Sequence, residues 1–326
     1  MARFSIVKHI AGILILSLLP LAAKAQVDAQ YTQYWMVPGY YNPSAIGNAD
    51  YIKVTVGSRA QWVGIKHAPL SFVGTADMPF KFLNKRFATG VTIHQQSMGL
   101  YSGLNANAQI AYKHKIFGGT LSAGLQVGLV NEKFKGSEII VPEGDDAHES
   151  TDEAIPKTDV SGNAFDLGAG IFFQHKKFWV GASVSHITNP SVELKAEGNE
   201  EDIYEFRQGR TYYFMGGGNI PVKNSLFELQ PSVFVKTDFS VLQAEATMRV
   251  RYNKFITGGV AYRHKDAVSA IVNVEIKNFV VGYAYDYPIS KMSKATTGSH
   301  EIFVNYNVKL DLGEKNKNKH KSIRLM

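Results

Sequence analysis

The 326-residue sequence contains no cysteine, which excludes disulfide bonds, thiolate nucleophiles and cysteine-ligated zinc sites. It also has no apolar run of the roughly twenty residues that a membrane-spanning helix needs, since its longest apolar stretch extends only from Ile10 to Leu21. The residue spacings typical of serine hydrolases, zinc proteases and phosphate-binding loops are missing as well. These absences argue against an enzyme and against a helical membrane protein, and we expect no cofactor.

The charge balance is basic, with 35 Lys and Arg against 28 Asp and Glu and a net charge of +7. Much of the excess lies near the two ends, within residues 1–25 and in a basic C-terminal tail over 311–326. A solvated tail and lysine-rich turns explain this charge, because no nucleic-acid-binding motif accompanies it. We therefore expect no nucleic-acid partner.

An acidic stretch from Glu143 to Glu153 raises the question of a metal site. Calcium-binding loops require fixed ligand spacing around a turn glycine, and this stretch does not meet it. We interpret it as a solvated surface loop and expect no metal.

Residues 1–25 have the features of a secretory signal peptide. Arg3 and Lys8 precede the apolar run, and Ala23-Lys24-Ala25 places small residues where a signal peptidase cleaves. We expect export from the cytoplasm and a mature chain that begins at Gln26.

Apolar and polar residues alternate with period two through most of the chain after Asp50. From Leu121 to Leu129, for example, Leu, Ala and Val alternate with Ser, Gly and Gln. The alternating runs approach the nine to eleven or so residues that a tilted strand needs to cross a bilayer. The pattern predicts an all-β fold, a closed antiparallel transmembrane β-barrel of about fourteen strands over 51–310. The expected strands lie near 51–59, 69–78, 87–96, 102–114, 119–131, 163–175, 177–187, 208–220, 226–237, 240–252, 255–264, 267–277, 279–289 and 299–310.

The connections between these strands indicate an orientation. Every second connection is a short turn with an aromatic residue beside it, as in an interfacial girdle, at Phe87, Phe117, Phe178, Phe227, Phe255 and Phe279. The two longest connections, 132–162 and 188–207, fall on the opposite side. Barrels of the bacterial outer membrane have short periplasmic turns and long extracellular loops. The sequence therefore predicts outer-membrane localisation, contact with outer-membrane lipid, and long loops outside the cell.

Alternation also assigns the two faces of each strand. Val127, Ile171 and Val272 are expected to face lipid, whereas Gln126 and Asn273 are expected to face the lumen and to tolerate arginine. The presumed inward positions are often Gly, Ser, Asn, Thr and Tyr. This composition favours a filled lumen over a charge-lined channel.

The segment 26–50 is rich in aromatic residues and contains Pro38 and Pro43. The prolines argue against a central strand or a helix interior. Two placements remain open: the segment plugs the lumen, or it packs on the periplasmic rim.

Three stretches, taken in order and spacing, resemble the PorP/SprF family of the Bacteroidetes type IX secretion system. The first runs from Gln33 to Gly47 and contains Asn42-Pro43, and the second is Arg59-Ala60-Gln61-Trp62-Val63-Gly64 with Ala68-Pro69 shortly after it. The third is Gly282-Tyr283-Ala284-Tyr285-Asp286-Tyr287, followed by Gly298-Ser299-His300-Glu301. The sequence departs from the family pattern at Ser44 and His67, which affects the subfamily more than the family.

The resemblance implies an outer-membrane protein that supports export and cell-surface anchoring of secreted proteins, such as gliding adhesins, and that contacts periplasmic peptidoglycan-linked components. The alternative function is a porin or transporter for small solutes. The candidate partner-binding or family-motif residues are Asn42, Pro43, Gly47, Arg59, Gln61, Trp62, Gly64, Pro69, Gly298, Ser299, His300 and Glu301.

Two interpretations of the second stretch stay open. Arg59, Gln61 and Trp62 could dock a secreted client outside the cell, or Trp62 could be a girdle residue while Arg59 pairs inside the barrel. His300-Glu301 could suggest acid–base chemistry, but both lie in one strand and the sequence reveals no third partner.

Overall fold

The computed structural model describes residues 28–139, 156–196 and 199–310, and only the backbone over 199–202. After residue 50 most of the described chain is antiparallel strand. The strands are β1 (Tyr51–Ala60), β2 (Leu70–Phe82), β3 (Lys85–Met98), β4 (Tyr101–Ile116), β5 (Gly119–Lys135), β6 (Asp159–Gln174), β7 (Phe178–Ser185), β8 (Ser191–Ala196), β9 (Asn199–Arg207), β10 (Thr211–Gly218), β11 (Ile220–Pro221), β12 (Phe227–Thr237), β13 (Leu242–Tyr252), β14 (Ile256–Arg263), β15 (Ala267–Ile276), β16 (Phe279–Pro288) and β17 (Ser299–Lys309).

Fourteen of these strands form one closed barrel. β1 pairs with β2 on one side and with β17 on the other, and β7 pairs directly with β10, so the sheet has no free edge within the wall. Closure matters in a bilayer because an unpaired strand edge exposes backbone N–H and C=O groups to lipid, where nothing can hydrogen-bond them. The predicted fold class is confirmed, and the wall strands match the expected ranges to within a few residues.

The remaining strands lie outside the wall. β8 and β9 form a hairpin whose strand β8 pairs with β6 at Val160 and Ser161, and β11 is a two-residue extension beside β12. The sequence interpretation gave 188–207 as one of the two longest connections, with no strand in it. In the structure Val192 and Leu194 of β8 are buried against Val130, which holds the hairpin on the barrel.

The two ends of the barrel differ. We call the end with the short turns, such as 83–84, 117–118 and 277–278, the turn end, and the opposite end the loop end. The loop end carries the connection between β5 and β6 and the β8–β9 hairpin. Among the described residues, no helix is both long and apolar enough to cross a bilayer.

The strand faces follow the sequence alternation. Val127, Ile171 and Val272 point outward and are 49%, 57% and 41% exposed, whereas Gln126 and Asn273 point inward and are buried. An outward apolar band beside an inward polar face is the pattern of a lipid-embedded barrel.

The interior is not an open lumen. Residues 28–47, which we call the inner segment, run inside the barrel before β1 begins, and most of them are buried. The ring of Tyr34 stacks on Phe234 of β12 at a centroid distance of 4.9 Å, and Tyr41 meets the same ring at 4.7 Å. Tyr31 packs edge-on against Phe303 at 5.4 Å.

Short helical turns let the inner segment fold back on itself. They span Tyr34–Met36, Pro38–Tyr41 and Pro43–Ala45. Two of them begin at a proline, which suits the first helical position because its missing N–H would be unpaired there anyway.

The filled interior corrects two expectations drawn from the sequence. Tyrosine is not a common inward residue, since Tyr213 is the single buried tyrosine among the described strand residues, and inward charged residues are frequent. Gln126 does not face open space either: its side-chain oxygen accepts a hydrogen bond from Gln109 Nε2 at 3.1 Å. An arginine at Gln126 would have to displace packed neighbours, so it is not expected to be tolerated.

We expect the loop end to face the exterior of the cell. Because the chain has no native cysteine, single cysteines report orientation without background. Glu193→Cys on the β8–β9 hairpin should react with a membrane-impermeant maleimide in intact cells. Lys177→Cys, in the turn between β6 and β7, should react only after the outer membrane is permeabilised. The reverse pattern would contradict the orientation.

The outward face should reject charge. Val127→Arg places a guanidinium near mid-strand against lipid, so it should lower barrel stability by about 2–4 kcal/mol. Urea unfolding followed by heat-modifiable migration on gels measures this loss, with Val127→Leu as the matched apolar control. Equal stability of the two variants would show that this face does not contact lipid.

Candidate functional site

A cluster of buried charges occupies the loop half of the barrel. We call it the arginine cluster, and its members are Arg59, Glu245, Arg263, Asp286 and Glu301, each at most 3% exposed in its side chain. Arg59 Nη2 lies 2.7 Å from Asp286 Oδ2, and its Nη1 lies 3.2 Å from Glu301 Oε2. Arg263 continues the chain of contacts, 2.8 Å from Glu245 Oε2 and 3.2 Å from Asp286 Oδ2. Five separate wall strands are thereby joined across the interior.

The inner segment completes this cluster. The backbone N–H groups of Thr32 and Gln33 donate to the two carboxylate oxygens of Glu301 at 2.9 and 2.8 Å. The Thr32 hydroxyl donates to Asp286 at 2.8 Å and accepts from Arg263 Nη2 at 2.8 Å. Buried ionic groups are stable only when they are paired and hydrogen-bonded. The cluster has three carboxylates but two guanidiniums. The backbone amides of the inner segment therefore supply hydrogen-bond donors that the arginines do not.

A second group, the histidine cluster, anchors the start of the described chain. His186 follows β7, and its Nε2 lies 3.1 Å from Asp28 Oδ1, while its Nδ1 makes an ion-pair contact of 2.9 Å with Asp166 Oδ2. Asp28 also accepts a hydrogen bond from the Tyr213 hydroxyl, and its backbone carbonyl accepts one from Lys236 Nζ at 2.5 Å.

Mutual attraction keeps His186 and Asp28 ionised. Burial opposes the charge on His186, but the carboxylates of Asp28 and Asp166 outweigh it and raise the pKa of His186 to about 10. Burial likewise opposes the charge on Asp28, yet its contacts with His186 hold the pKa of Asp28 well below its usual range. At neutral pH an imidazolium therefore bridges two carboxylates.

Asn42, Pro43 and Gly47 fix the other half of the inner segment to the wall, away from both clusters. Asn42 Nδ2 donates to the carbonyls of Ile171 and Ala182 at 3.0 and 3.3 Å, and its Oδ1 accepts from the backbone N–H of Ser44 at 2.9 Å. These contacts bring the segment so close to β5 that the Pro43 carbonyl oxygen would lie 2.6 Å from a Cβ at Gly124.

Gly47 needs to be glycine for two reasons. Its φ of +57° lies in the left-handed region, and a Cβ there would lie 2.4 Å from the Ala88 side chain. Its backbone N–H donates to Asp77 Oδ1 at 2.6 Å. The residue thus turns the chain out of the interior and into β1.

The connection between β1 and β2 is joined to the start of β17. Trp62 N donates to Ser299 Oγ at 3.1 Å, and Val63 N donates to the Gly298 carbonyl at 2.8 Å. Gln61 N donates to the Pro69 carbonyl at 2.9 Å, which closes the loop on itself. The second and third sequence motifs therefore meet at the loop end, with Gly64 exposed beside them.

The structure separates the two residues considered for acid–base chemistry. Glu301 is buried in the arginine cluster, whereas His300 points outward and its Nδ1 lies 2.7 Å from the Tyr283 hydroxyl. Successive strand residues face opposite sides of a sheet, so the two cannot act on one substrate. Glu301 instead contacts Arg59 and accepts hydrogen bonds from the backbone N–H groups of Thr32 and Gln33, and these contacts hold the inner segment. The sequence did not reveal these partners.

The acidic stretch Glu143–Glu153 lies outside the described residues. Within the part of the chain that the structure describes, no group of three or more His, Asp or Glu side chains is arranged to hold a metal ion.

Several members of the two clusters escaped the sequence analysis. Asp28, His186, Glu245 and Arg263 belong to no recognised motif, and Asp286 was noted only as part of a tyrosine-rich stretch. One signal was available: Glu245, Arg263, Asp286 and Glu301 are charged residues at inward positions within a few residues of the loop end of four strands. Charged residues that face inward at the same depth in several strands predict one shared ion-pair network.

Solved outer-membrane barrels resemble this fold at low sequence identity. The toluene transporter TodX of Pseudomonas putida aligns over 87% of this chain and 95% of its own, with a TM-score of 0.49 and 8% identity. A FadL homologue of Pseudomonas aeruginosa covers 82% of this chain and 92% of its own, with a TM-score of 0.48 and 8% identity. The translocator domain of the autotransporter NalP from Neisseria meningitidis covers 80% and 88%, with a TM-score of 0.42 and 12% identity.

Sequence comparison is more specific. No curated protein matches the chain. The family model described as the type IX secretion system membrane protein PorP/SprF matches residues 23–306.

Removing one partner of the arginine cluster should be costly. Arg59→Met leaves Glu301 and Asp286 short of a buried counter-charge, so we expect a loss of about 3–5 kcal/mol in unfolding free energy. The matched control is Arg251→Met, whose pair with Glu275 is partly exposed at 26% and 37% and should be worth about 0–1 kcal/mol.

A second substitution separates the charge effect from lost packing. Adding Glu301→Gln to Arg59→Met removes the unpaired carboxylate and should restore part of the stability in urea titration. An Arg59→Met variant as stable as the Arg251→Met variant would contradict the role of the cluster.

Proposed function

The chain belongs to the PorP/SprF family of type IX secretion system membrane proteins and forms an outer-membrane β-barrel, and we propose that it is a docking protein rather than a pore. In this role it binds a secreted client at its loop end, supports the export and surface anchoring of large proteins such as adhesins, and contacts a peptidoglycan-linked component at its turn end. Membership of this family points to secretion or transport rather than to enzymatic catalysis.

The observation that carries the proposal is the filled interior. The inner segment is held by the arginine cluster, by the histidine cluster and by the contacts of Asn42, so solute flow through the barrel would require breaking buried ion pairs. Porins of about sixteen to eighteen strands keep an aqueous channel. The contacts therefore favour docking over the alternative of a diffusion channel.

The loop end offers a surface suited to a client protein. Val63, Leu70 and Ile289 are 37%, 38% and 45% exposed around the connection that carries half-buried Trp62. Connections 61–69 and 289–298 contain Lys66, Lys291 and Lys294 but no acidic residue. Apolar side chains near positively charged lysines suit a partner protein whose binding surface has an apolar centre and an acidic rim.

The buried position of Arg59 changes the docking hypothesis drawn from the sequence. Arg59 is 3% exposed and paired within the arginine cluster, so it is unavailable to a client. Trp62 stays in the proposed surface, because its half-buried side chain belongs to the 61–69 connection, where its backbone N–H donates to Ser299 Oγ.

The turn end supports the proposal of a periplasmic partner. A depression of about 620 Å³ opens there, lined by Lys115, His175 and Lys176, and Phe117 beside it is 86% exposed. Such a basic surface attracts an anionic partner. We also propose that residues 1–25 are a cleaved signal peptide and that 311–326 form a separate basic tail.

Trp62→Ala tests the client-docking surface. Truncating an interface hot spot commonly costs about 2 kcal/mol, roughly thirtyfold in affinity. The variant should remain heat-modifiable and abundant in the outer membrane, while secreted surface proteins move into the medium, as quantified by mass spectrometry of both fractions. Phe239→Ala, at another exposed ring of the loop end, is the matched control and should retain them.

Two results would contradict the docking surface. Normal retention of the secreted proteins at the cell surface in the Trp62→Ala variant would show that Trp62 is not part of the docking surface. A parallel fall in barrel level and client retention would assign Trp62 a structural role only.

A further inference from the structure

The open depression of about 620 Å³ at the turn end carries charge of one sign. Among the described residues, it is lined by four cationic side chains and by no carboxylate. The cations are Arg86, Lys113, Lys115 and Lys176, and His175 lies among them. They belong to β3, to β4 and to the turn that follows β6. A volume of this size suits a ligand far larger than a single small ion.

The nearby carboxylates do not neutralise these cations. Asp50 pairs with Arg86, but their side chains are 65% and 36% exposed, and an exposed pair is weak. The charge of Asp77 is shared between Lys53 and Lys113. In the described part of the chain, the four cations of the depression therefore exceed the carboxylates beside them by at least two.

Lys113 is the buried member of the four, and its hydrogen-bond partners are neutral. It is 6% exposed, and its Nζ donates to Asn48 Oδ1 at 2.6 Å and to Ser122 Oγ at 3.3 Å. No carboxylate of the described residues forms an ion pair with it. Lysine is seldom buried without a partner of opposite charge, because removing an ammonium from water is costly. An anion in the depression would supply the charge that Lys113 lacks.

The ring of Phe117 is a second feature of the same site that the fold does not explain. Phe117 and Gly118 form the turn between β4 and β5 with φ of +50° and +71°, and a type I′ turn requires positive φ at both positions. Asparagine is favoured at the first position, whereas a bulky side chain is strained there. Phe117 lines the depression and is 86% exposed, so internal packing does not account for the ring. Strain at an exposed residue points to a function.

We propose that the depression binds an acidic segment of a periplasmic partner protein, with carboxylates on Lys115 and Lys176 and an apolar side chain on Phe117. This inference names the chemistry of the turn-end partner and so rests on the docking function proposed above. A short peptide can offer several carboxylates and one apolar contact together. A free phosphate fits less well, because it would fill a small part of the depression and leave the ring uncovered.

Peptide binding to the full-length barrel in neutral detergent micelles tests the site. The probe is a fluorescently labelled peptide with two glutamates on each side of one phenylalanine, and its affinity is measured by fluorescence anisotropy. Wild-type protein should bind this peptide at least about tenfold more tightly than the same peptide with glutamines in place of the glutamates. The affinity should fall as salt is added, because salt screens exposed charges.

Three variants locate the binding on the barrel. Lys115→Gln combined with Lys176→Gln should weaken binding roughly tenfold, since two ion pairs with the peptide are lost. The matched control, Lys254→Gln combined with Lys277→Gln, removes the same charge from the turns β13–β14 and β15–β16 and should bind as wild type does. Phe117→Asn keeps a residue that tolerates positive φ but removes the ring, so it should weaken binding roughly fivefold.

Four results would overturn the inference. Equal binding of the two peptides, or an equal loss in the two double variants, would show only a general attraction to a basic barrel. Unchanged binding by Phe117→Asn would exclude the contact with the ring. Displacement of the peptide by an equal concentration of inorganic phosphate would assign the depression to a small anion instead. Trp62→Ala should bind the peptide as wild type does, so this inference and client docking at the loop end can fail independently.

Discussion

The width of a fourteen-strand barrel is the constraint on which the rest of the structure depends. Eight strands enclose a space that wall side chains can fill, whereas sixteen or more leave a channel. At fourteen strands the wall residues leave a gap, and the inner segment occupies it with Tyr31, Tyr34 and Tyr41. The aromatic content of this segment is thus explained by volume: large rings fill a wide interior with few residues.

Placing the inner segment inside the barrel removes its polar groups from water, and the two charge clusters provide partners for them. The inner segment has few regular backbone partners, and its amides must be hydrogen-bonded once they leave water. Glu301 accepts from two of those amides, and Arg59 neutralises it in turn. Glu301 lies in the last strand, 269 residues from Thr32, so these contacts form only when the barrel closes between β1 and β17. Closure of the wall and ordering of the interior are therefore linked.

The sequence predicted most of the wall and little of the interior, for a physical reason. Alternation is a local property of each strand, so the outward faces of residues such as Val127 and Ile171 could be read directly. Aromatic turns likewise identified where strands end. The pairing of Arg59 with Asp286 and Glu301 depends on which strands meet after closure, and no local pattern records it. The β8–β9 hairpin was missed because the sequence analysis treated 188–207 as one long connection.

The most direct test of this account is the conductance of the purified full-length barrel in a planar bilayer. With the inner segment held by buried ion pairs, wild-type protein should insert and show no steady open channel, while Arg59→Met should show transient openings as that hold weakens. A steady, porin-like conductance from wild-type protein would contradict the account, because it would mean that the inner segment does not close the lumen.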